Sequence, residues 1–274
     1  MGAVRELPAF AGRPLDFVYF GGGTPSFLST QQLDRLVTRL SRVAPWDKAE
    51  EIAFECEPGT LTESKLATIR RLGVTRLSLG IENFDDHILE VNGRAHRSPE
   101  IGQSYRWARA LQFPLINIDL IAGMLGETDG NWQVCIDKTL ELQPDSITVY
   151  QMELPFNTTI SRDLMKRSGR FSDPVADWKT KRRWVEEAFA AFEANGYHVK
   201  SAYTAGERPD EDSICLHRSS LAGSRHGRPR VSRLSAISTA CTSRTWIRGK
   251  PTARGSSAAS SRSIGRIGRH RKNA

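Results

Sequence analysis

The chain alternates short apolar segments of strand character with amphipathic segments of helical character, and this alternation limits its fold more than any other feature. Strands are predicted at residues 17–20, 51–56, 76–81, 115–121 and 146–152, and residues 197–203 have the character of a sixth. The first five begin about 25 to 39 residues apart, which is the spacing of a strand–helix repeat. The sequence therefore predicts an α/β fold, either a barrel or an open parallel sheet.

Capping signals mark where two of the intervening helices begin. Ser29 and Gln32 have the spacing of a capping box, and so do Thr60 and Glu63. Further helices are predicted at residues 98–111, 131–142 and 174–195.

Polar side chains follow several of the predicted strands and are not concentrated at one point. They are Thr24, Glu55, Glu57, Glu82, Asp119 and Glu153. An open sheet gathers its binding residues at one crevice, whereas a barrel distributes them around the rim where its strands end. We therefore predict a partial (β/α)6-type barrel at residues 15–205, preceded by a residual helix or linker at residues 1–14.

The first predicted strand ends in three glycines, Gly21 to Gly23, which are followed by Thr24 and Pro25. Residues without a Cβ allow backbone N–H and C=O groups to approach a small ligand closely. The segment is therefore a candidate cofactor-binding loop, and the alternative is a tight strand–helix turn without a ligand.

Asp119 lies inside an otherwise apolar predicted strand. An unpaired carboxylate is costly to bury, so Asp119 has a structural hydrogen-bond partner or faces a site. Glu55 and Glu57 end the second predicted strand, Glu82 follows the third, and Arg94 lies on the loop beyond it. For Glu55 and Glu57 the alternative is a pair of solvated loop charges, and for the segment of Arg94 it is a surface turn.

The net charge of +8 combines two regions of opposite sign. Residues 1–212 carry 25 Lys and Arg against 31 Asp and Glu, whereas residues 213–274 carry 14 Lys and Arg and no acid. Residues 206–274 have few aromatic residues and no hydrophobic periodicity, which predicts a disordered basic tail. Such a tail would bind nucleic acid only non-specifically, and a dedicated Arg-rich nucleic-acid-binding tail is the alternative.

The four cysteines, Cys56, Cys135, Cys215 and Cys241, are spaced by 79, 80 and 26 residues. This spacing predicts neither a zinc site nor an iron–sulfur site within the chain. The sequence contains no run of 18 apolar residues, so no membrane-spanning segment is predicted. It also lacks the pattern of a signal peptide, which indicates a cytoplasmic protein.

Six segments, taken together and in order, resemble the radical S-adenosylmethionine (SAM) enzymes. They are FVYFGGGTPSFLS at 17–29, ECEPGTLT at 55–62, RLGVTRLSLGIENFDD at 71–86, NGRAH at 92–96, NIDLIAGMLGET at 117–128 and SITVYQMEL at 146–154. The resemblance covers roughly residues 15–200. It is closest to the oxygen-independent coproporphyrinogen III oxidase subgroup, which includes haem-chaperone-like relatives.

The resemblance implies a radical SAM barrel and a SAM site formed by Gly22, Gly23, Thr24, Glu55, Glu82, Arg94 and Asp119. By this resemblance the glycine loop holds the methionine end of SAM, Glu55 lies near its amino or ribose groups, and Arg94 binds its carboxylate. Glu82 stands beside the cofactor where relatives often have Gln, and Asp119 makes a polar contact across the barrel mouth. These residue types suit SAM, which carries an ammonium, a carboxylate and a ribose diol.

The sequence departs from this family at the iron–sulfur cluster. Such enzymes hold a [4Fe–4S] cluster on a CxxxCxxC loop after the first strand, and none of the 20 residues before Gly21 is Cys. We therefore expect a barrel that lacks its first strand and a chain that binds no cluster. The tail is expected to reflect a shifted reading frame, because codons read two bases later over residues 230–253 encode an ordinary globular sequence.

Three functions stay open at this point. By resemblance, the first is oxidative decarboxylation of coproporphyrinogen III in porphyrin synthesis, with flavodoxin or ferredoxin as the electron donor in the family. The second is haem binding by a chaperone-like relative, and the third is an inactive product of a damaged or misread gene. The implied partner is a porphyrinogen or haem, and the chain alone is expected to be inactive.

Overall fold

Five parallel strands alternate with helices along the chain. The computed structural model describes residues 15–153 and 176–207, so the proposed linker at 1–14 and residues 208–274 of the proposed tail lie outside the described residues. The strands are β1 (Phe17–Phe20), β2 (Glu51–Cys56), β3 (Arg76–Glu82), β4 (Leu115–Ala122) and β5 (Ser146–Gln151). Each pairs in parallel with the next one along the chain. The predicted α/β class is confirmed, and each of these predicted strands is correct to within one residue.

The five predicted helices are present, but a short helix at Asp86–Val91 was not predicted, one cap differs, and residues 174 and 175 of the last predicted helix lie outside the described residues. They are α1 (Thr30–Ser41), α2 (Glu63–Arg71), α3 (Asp86–Val91), α4 (Ser98–Ala110), α5 (Asp129–Leu142) and α6 (Trp178–Ala194). The capping box of Ser29 and Gln32 is present. The cap predicted at Thr60 is wrong, because Pro58–Thr60 forms a short 3₁₀ helix and Thr62 then caps α2 through the backbone N–H of Lys65.

The last part of the sheet differs from the expected sixth parallel strand. The chain reverses between two short strands, β6 (His198–Val199) and β7 (Thr204–Gly206), which pair antiparallel with each other. The backbone N–H groups of Lys200 and Ser201 both donate to the carbonyl of Thr204 and close this hairpin. Strand β7 then pairs antiparallel with β5, so 197–203 is not a single strand.

The described residues thus form one mixed sheet in the order β1-β2-β3-β4-β5-β7-β6. The sheet is open between β1 and β6, which is consistent with a partial barrel. No helix within residues 15–153 and 176–207 is long and apolar enough to cross a membrane.

The two faces of the parallel strands differ in character, because successive side chains of a strand point to opposite faces. In β3, Leu77, Leu79 and Ile81 are fully buried and belong to the same apolar core as side chains of the surrounding helices. Ser78 and Glu82 alternate with them and line a cleft on the other face. The helices therefore cover the apolar face, and the polar face is left to form a site.

Candidate cofactor-binding site

A cleft of about 200 Å³ opens at the carboxyl ends of the parallel strands. Six of the seven predicted site residues line it: Gly23, Thr24, Glu55, Glu82, Arg94 and Asp119. The seventh, Gly22, lies beside it, with its backbone N–H donating to Oε2 of Glu55 at 3.2 Å. The fold thus brings all seven residues together, while their role in cofactor binding stays a prediction.

Glu55 fixes the shape of the glycine loop from the end of β2. Its Oε1 accepts a hydrogen bond from the hydroxyl of Tyr19, and its Oε2 accepts from Gly22. A Cβ on Gly21 would lie 2.7 Å from the carboxyl carbon of Glu55 and would overlap the ring of Tyr19. The φ angles of +83° at Gly22 and +149° at Gly23 also disfavour any other residue type. The loop therefore requires its glycines whether or not a ligand is bound.

Glu82 ends β3 in a backbone conformation that is unusual for a residue with a side chain. Its φ is +68°, and the pairing of β3 with β4 shifts register between Gly80 and Glu82. The backbone N–H of Asn83 donates to the carbonyl of Ile81 at 2.8 Å, which closes a γ-turn centred on Glu82. Such strained turns are concentrated at functional sites.

Arg94 forms an ion pair with Glu82 through its Nε and the Oε2 of the carboxylate. Burial raises the pKa of Glu82 to about 7, although the charge of Arg94 acts in the opposite direction. Glu82 therefore changes protonation state near neutral pH. When it is protonated, the guanidinium of Arg94 is released to bind an anionic group of a ligand.

Asp119 is fully satisfied by its neighbours on the polar face of the sheet. The hydroxyl of Ser78 donates to its Oδ2 at 2.8 Å, and Nδ2 of Asn117 donates to its Oδ1 at 2.8 Å. Burial raises the pKa of Asp119, and these hydrogen bonds oppose that shift. Asp119 thus meets both conditions stated from the sequence, because it has structural partners and also lines the cleft.

The polar contacts continue beneath the cleft. Oδ1 of Asn117 accepts hydrogen bonds from the hydroxyls of Ser146 at 2.7 Å and Thr148 at 3.2 Å. Below them, Arg76 forms an ion pair with Glu51 in which Nε lies 3.2 Å from Oε1. The inner face of the strands is therefore a connected polar network that holds the cleft floor in place.

Sequence reasoning missed Ser78 and Tyr150, which also line the cleft. Strand alternation was the signal that could have identified them. Ser78 precedes Glu82 by four residues on the same strand, and Tyr150 is paired with Ile121, two residues beyond Asp119. The structure also brings Nδ1 of His96 into contact with Oε1 of Glu57, and no sequence pattern indicates this contact.

The charge of the cleft is predominantly negative. Four lining residues carry carboxyl groups, Glu55, Glu57, Glu82 and Asp119, and Arg94 is the one cation among the lining residues. Such a cleft favours a ligand that has a net positive charge and one anionic group. SAM has this pattern of charges, with an ammonium, a sulfonium and a carboxylate, so the residues present fit it.

The thiols of the described residues do not fit a [4Fe–4S] cluster, whose usual ligands are several thiolates. Cys56 lines the cleft, but burial raises the pKa of its thiol well above the usual range. Cys135 is buried in the core, where burial raises its pKa to about 12. No group of three or more Cys, His, Asp or Glu within residues 15–153 and 176–207 has the arrangement of a metal site.

Comparison with known proteins agrees with the fold. Residues 3–138 match the Radical SAM superfamily. The chain contains a radical SAM domain. Proteins of this family use SAM together with a [4Fe–4S] cluster, and the resemblance inferred from the six sequence segments is thereby confirmed.

The radical SAM domain is similar in sequence to proteins with two different names. It is 33% identical to the heme chaperone HemW of Bacillus subtilis over 192 residues, which cover 69% of this chain and 50% of that protein. It is 31% identical to the oxygen-independent coproporphyrinogen III oxidase of Escherichia coli over 147 residues, covering 54% of this chain and 32% of that protein.

The radical SAM domain is also similar in structure to coproporphyrinogen III oxidase (HemN) from Escherichia coli. The TM-score is 0.67 at 26% identity, and the match covers 79% of this chain and 50% of that one. The chain spans half the length, or less, of these relatives. The predictions about an electron donor, a missing first strand and a shifted reading frame stay predictions.

Proposed function

We propose that the cleft binds SAM and that the protein acts on a tetrapyrrole as an oxidoreductase of the coproporphyrinogen III oxidase type. The observation that carries the proposal is the convergence of Gly23, Glu55, Glu82, Arg94 and Asp119 on one cleft. The single guanidinium among four carboxyl groups matches the charges of SAM. Similarity to the oxygen-independent oxidase of Escherichia coli supports the substrate class.

The residues of this chain would bind and orient SAM in distinct ways. Arg94 binds the SAM carboxylate and gives up its contact with Glu82, whose buried carboxyl group can then be neutral. Glu55 acts indirectly, because Tyr19 and Gly22 already occupy its two oxygens and it holds the glycine loop in position. Asp119, held by Ser78, accepts a hydrogen bond from a hydroxyl group of the ribose.

In this superfamily SAM supplies a carbon-centred radical when a reduced [4Fe–4S] cluster donates an electron to it. The described residues hold no thiolate set for such a cluster, so no step of that chemistry is assigned to this chain. The part that we propose for the described residues is binding and orientation of SAM.

An aromatic surface at the cleft rim supports the tetrapyrrole part of the proposal. The rings of Tyr150 and Tyr203 stack with their centroids 6.1 Å apart and an angle of 29° between the planes. Both side chains are about half exposed, at 48% and 54%. The flat conjugated macrocycle of haem can stack on such a pair, and the separate pyrrole rings of a porphyrinogen can each pack against an aromatic side chain.

A second candidate function is haem binding in the manner of a chaperone. It is favoured by the similarity to the heme chaperone HemW of Bacillus subtilis, which covers 69% of this chain. Both candidates use the same cleft and the same rim, and they differ in whether the tetrapyrrole that binds is haem or the iron-free coproporphyrinogen III.

The test measures SAM and tetrapyrrole binding to the purified chain in separate titrations. Calorimetry should show one SAM per chain, and Arg94→Gln should weaken binding by about tenfold or more. The exposed Arg106 on α4 offers a matched control, and Arg106→Gln should leave the affinity unchanged. A folded chain that binds no SAM contradicts the proposal.

The two candidate functions are then separated by absorption spectroscopy. Preferential binding of coproporphyrinogen III, measured anaerobically by its competition with haem, supports the oxidase, and preferential binding of haem supports the chaperone. Either preference should be reduced when Tyr203 is replaced by Ala, whereas SAM affinity should change little because Tyr203 stacks on Tyr150 and does not line the cleft. Binding of neither tetrapyrrole contradicts both candidates and leaves the SAM site as a separate result.

A further inference from the structure

His96 is completely buried beside the cleft, although it does not line it. Its Nε2 lies 2.9 Å from the backbone carbonyl of Ile81, and its Nδ1 contacts Oε1 of Glu57. A carbonyl oxygen can only accept, so Nε2 must carry a hydrogen. His96 and Glu57 then share one further proton across Nδ1, as an imidazolium–carboxylate pair or as a neutral imidazole with a protonated carboxyl group.

The carbonyl that His96 binds is the one that closes the strained turn at Glu82. It accepts from the backbone N–H of Asn83 at 2.8 Å as well as from His96. A non-glycine residue with φ of +68° keeps that conformation only where its surroundings hold it. The imidazole N–H supplies such a restraint directly at the turn.

The position of His96 is itself restrained from two sides. A Cβ on Gly59 would lie 3.2 Å from Cβ of His96, so the 3₁₀ helix after β2 packs against it. On the other side, Nη1 of Arg97 donates to the backbone carbonyls of both Arg94 and His96 at 2.8 Å. The imidazole therefore connects the end of β2, the end of β3 and the loop that carries Arg94.

We propose that His96 is a positioning residue that holds Glu57, the γ-turn of Glu82 and the loop of Arg94 in one arrangement. The charged side chains of the cleft are then held in their binding positions before a ligand binds. A site preorganised in this way loses less conformational freedom on binding. The consequence for SAM binding rests on the proposed function, whereas the consequence for Glu82 does not.

Two conservative variants separate the two contacts of the imidazole. A Gln side chain can place its amide near the position of Nε2, whereas the shorter Asn side chain reaches only the position of Nδ1. His96→Gln should therefore keep the bond to Ile81 and retain SAM affinity within about threefold, and His96→Asn should lose about tenfold or more. A merely structural role would affect both variants alike, and urea unfolding checks that both are folded.

A readout without SAM tests the same inference independently. The carboxyl group of Glu82, followed by NMR with ¹³C-labelled glutamate, should titrate near pH 7 in the wild type and in His96→Gln. It should move towards its ordinary pKa of 4.5 in His96→Asn, as the turn relaxes and the side chain leaves its buried position. The charged groups that face Glu82 are Arg94, Glu57, Asp119 and His96 itself. The charge of His96 lowers the pKa of Glu82 and is lost in both variants, so the difference between His96→Asn and His96→Gln measures the effect of the turn.

The outcomes distinguish this inference from the proposed function. An unchanged Glu82 titration in folded His96→Asn overturns the positioning role, whatever happens to SAM. If the wild type binds no SAM but the Glu82 titration moves as expected, the positioning role stands and the proposed function fails. If neither variant folds, hydrogen exchange of the Nε2–H of His96 in the wild-type protein provides the test. Rapid exchange of this hydrogen with solvent contradicts the buried hydrogen bond to Ile81.

Discussion

The hydroxyl group of Ser78 on β3 donates a hydrogen bond of 2.8 Å to Oδ2 of Asp119 on β4. The two residues occupy neighbouring register positions, since Ser78 pairs with Asn117 and Gly80 pairs with Asp119. This bond shows how a carboxyl group is accommodated inside an otherwise apolar strand. It also fixes the orientation of Asp119 in the cleft.

Replacement of Ser78 by Ala should make the stability of the protein more sensitive to pH. The variant removes a donor to the ionised form of Asp119, whose pKa burial already raises, so the pKa should rise further. We expect a loss of about 1–3 kcal/mol in the free energy of unfolding at pH 8 and a smaller loss at pH 5. Urea unfolding at the two pH values measures this, with exposed Ser64→Ala on α2 as the control. An equal loss at both pH values would contradict the role given to the bond.

Replacement of Gly21 by Ala should damage the glycine loop. The added methyl group would overlap the ring of Tyr19 and lie 2.7 Å from the carboxyl carbon of Glu55. We expect a destabilisation of about 1–3 kcal/mol and weaker SAM binding. The matched control is Gly130→Ala in α5, where nothing lies within 4 Å of the added Cβ and a helix favours Ala. Thermal unfolding of both variants tests this, and equal melting temperatures would show that the loop has room for a Cβ.

The protonation of Glu82 should make the free energy of unfolding fall as the pH rises towards 7. Its pKa is raised from 4.5 to about 7 by burial, so between these values the folded state binds a proton that the unfolded state has lost. Unfolding then releases a proton, and the free energy of unfolding falls with increasing pH, by about 2 kcal/mol from pH 5 to 7 for this group. In Glu82→Gln this part of the fall should disappear.

The control for the Glu82 measurement is Glu90→Gln. The Glu90 side chain is 70% exposed, so its removal should leave the pH dependence of stability unchanged. If Glu82→Gln and the wild type lose stability in parallel from pH 5 to 7, the Glu82 carboxyl group is ionised throughout and its burial does not control its protonation.

The cationic residues near the carboxyl terminus should produce non-specific binding to polyanions. Residues 213–274 carry 14 Lys and Arg and no acid. The full chain should elute from a heparin column at higher salt than a chain ended after residue 207, because the attraction is electrostatic and is screened by ions. Elution of both chains at the same salt concentration would refute this, and salt-resistant binding to one nucleic-acid sequence would favour a dedicated binding segment.

The strand order and most of the cleft could be predicted because they depend on local patterns. A glycine directly after one strand, such as Gly21, and a carboxylate at the end of another, such as Glu55, are visible in the sequence, and parallel strands bring such ends together. Contacts between distant segments were not predictable in this way. The contact of His96 with Glu57 joins residues 39 positions apart, and the γ-turn at Glu82 lies where the register of β3 and β4 shifts. Neither feature leaves a periodic signal in the sequence.

Two local predictions failed because neighbouring residues changed the backbone. Pro58 starts a 3₁₀ helix that moves the cap of α2 from Thr60 to Thr62. The strand character of residues 197–203 comes from aromatic and β-branched residues, but the hairpin bonds to the carbonyl of Thr204 limit the strand to His198–Val199 and place residues 200–203 in the turn that leads to β7. In both places tertiary and turn geometry outweighed local propensity.

A crystal structure of the chain with SAM tests the central claim most directly. We predict SAM in the cleft, with its carboxylate bound to the guanidinium of Arg94 and its methionine end against the loop of Gly22 and Gly23. Asp119 should accept a hydrogen bond from the ribose. SAM bound at any other place on the chain, with the ion pair of Arg94 and Glu82 undisturbed, would contradict the assignment of the cleft.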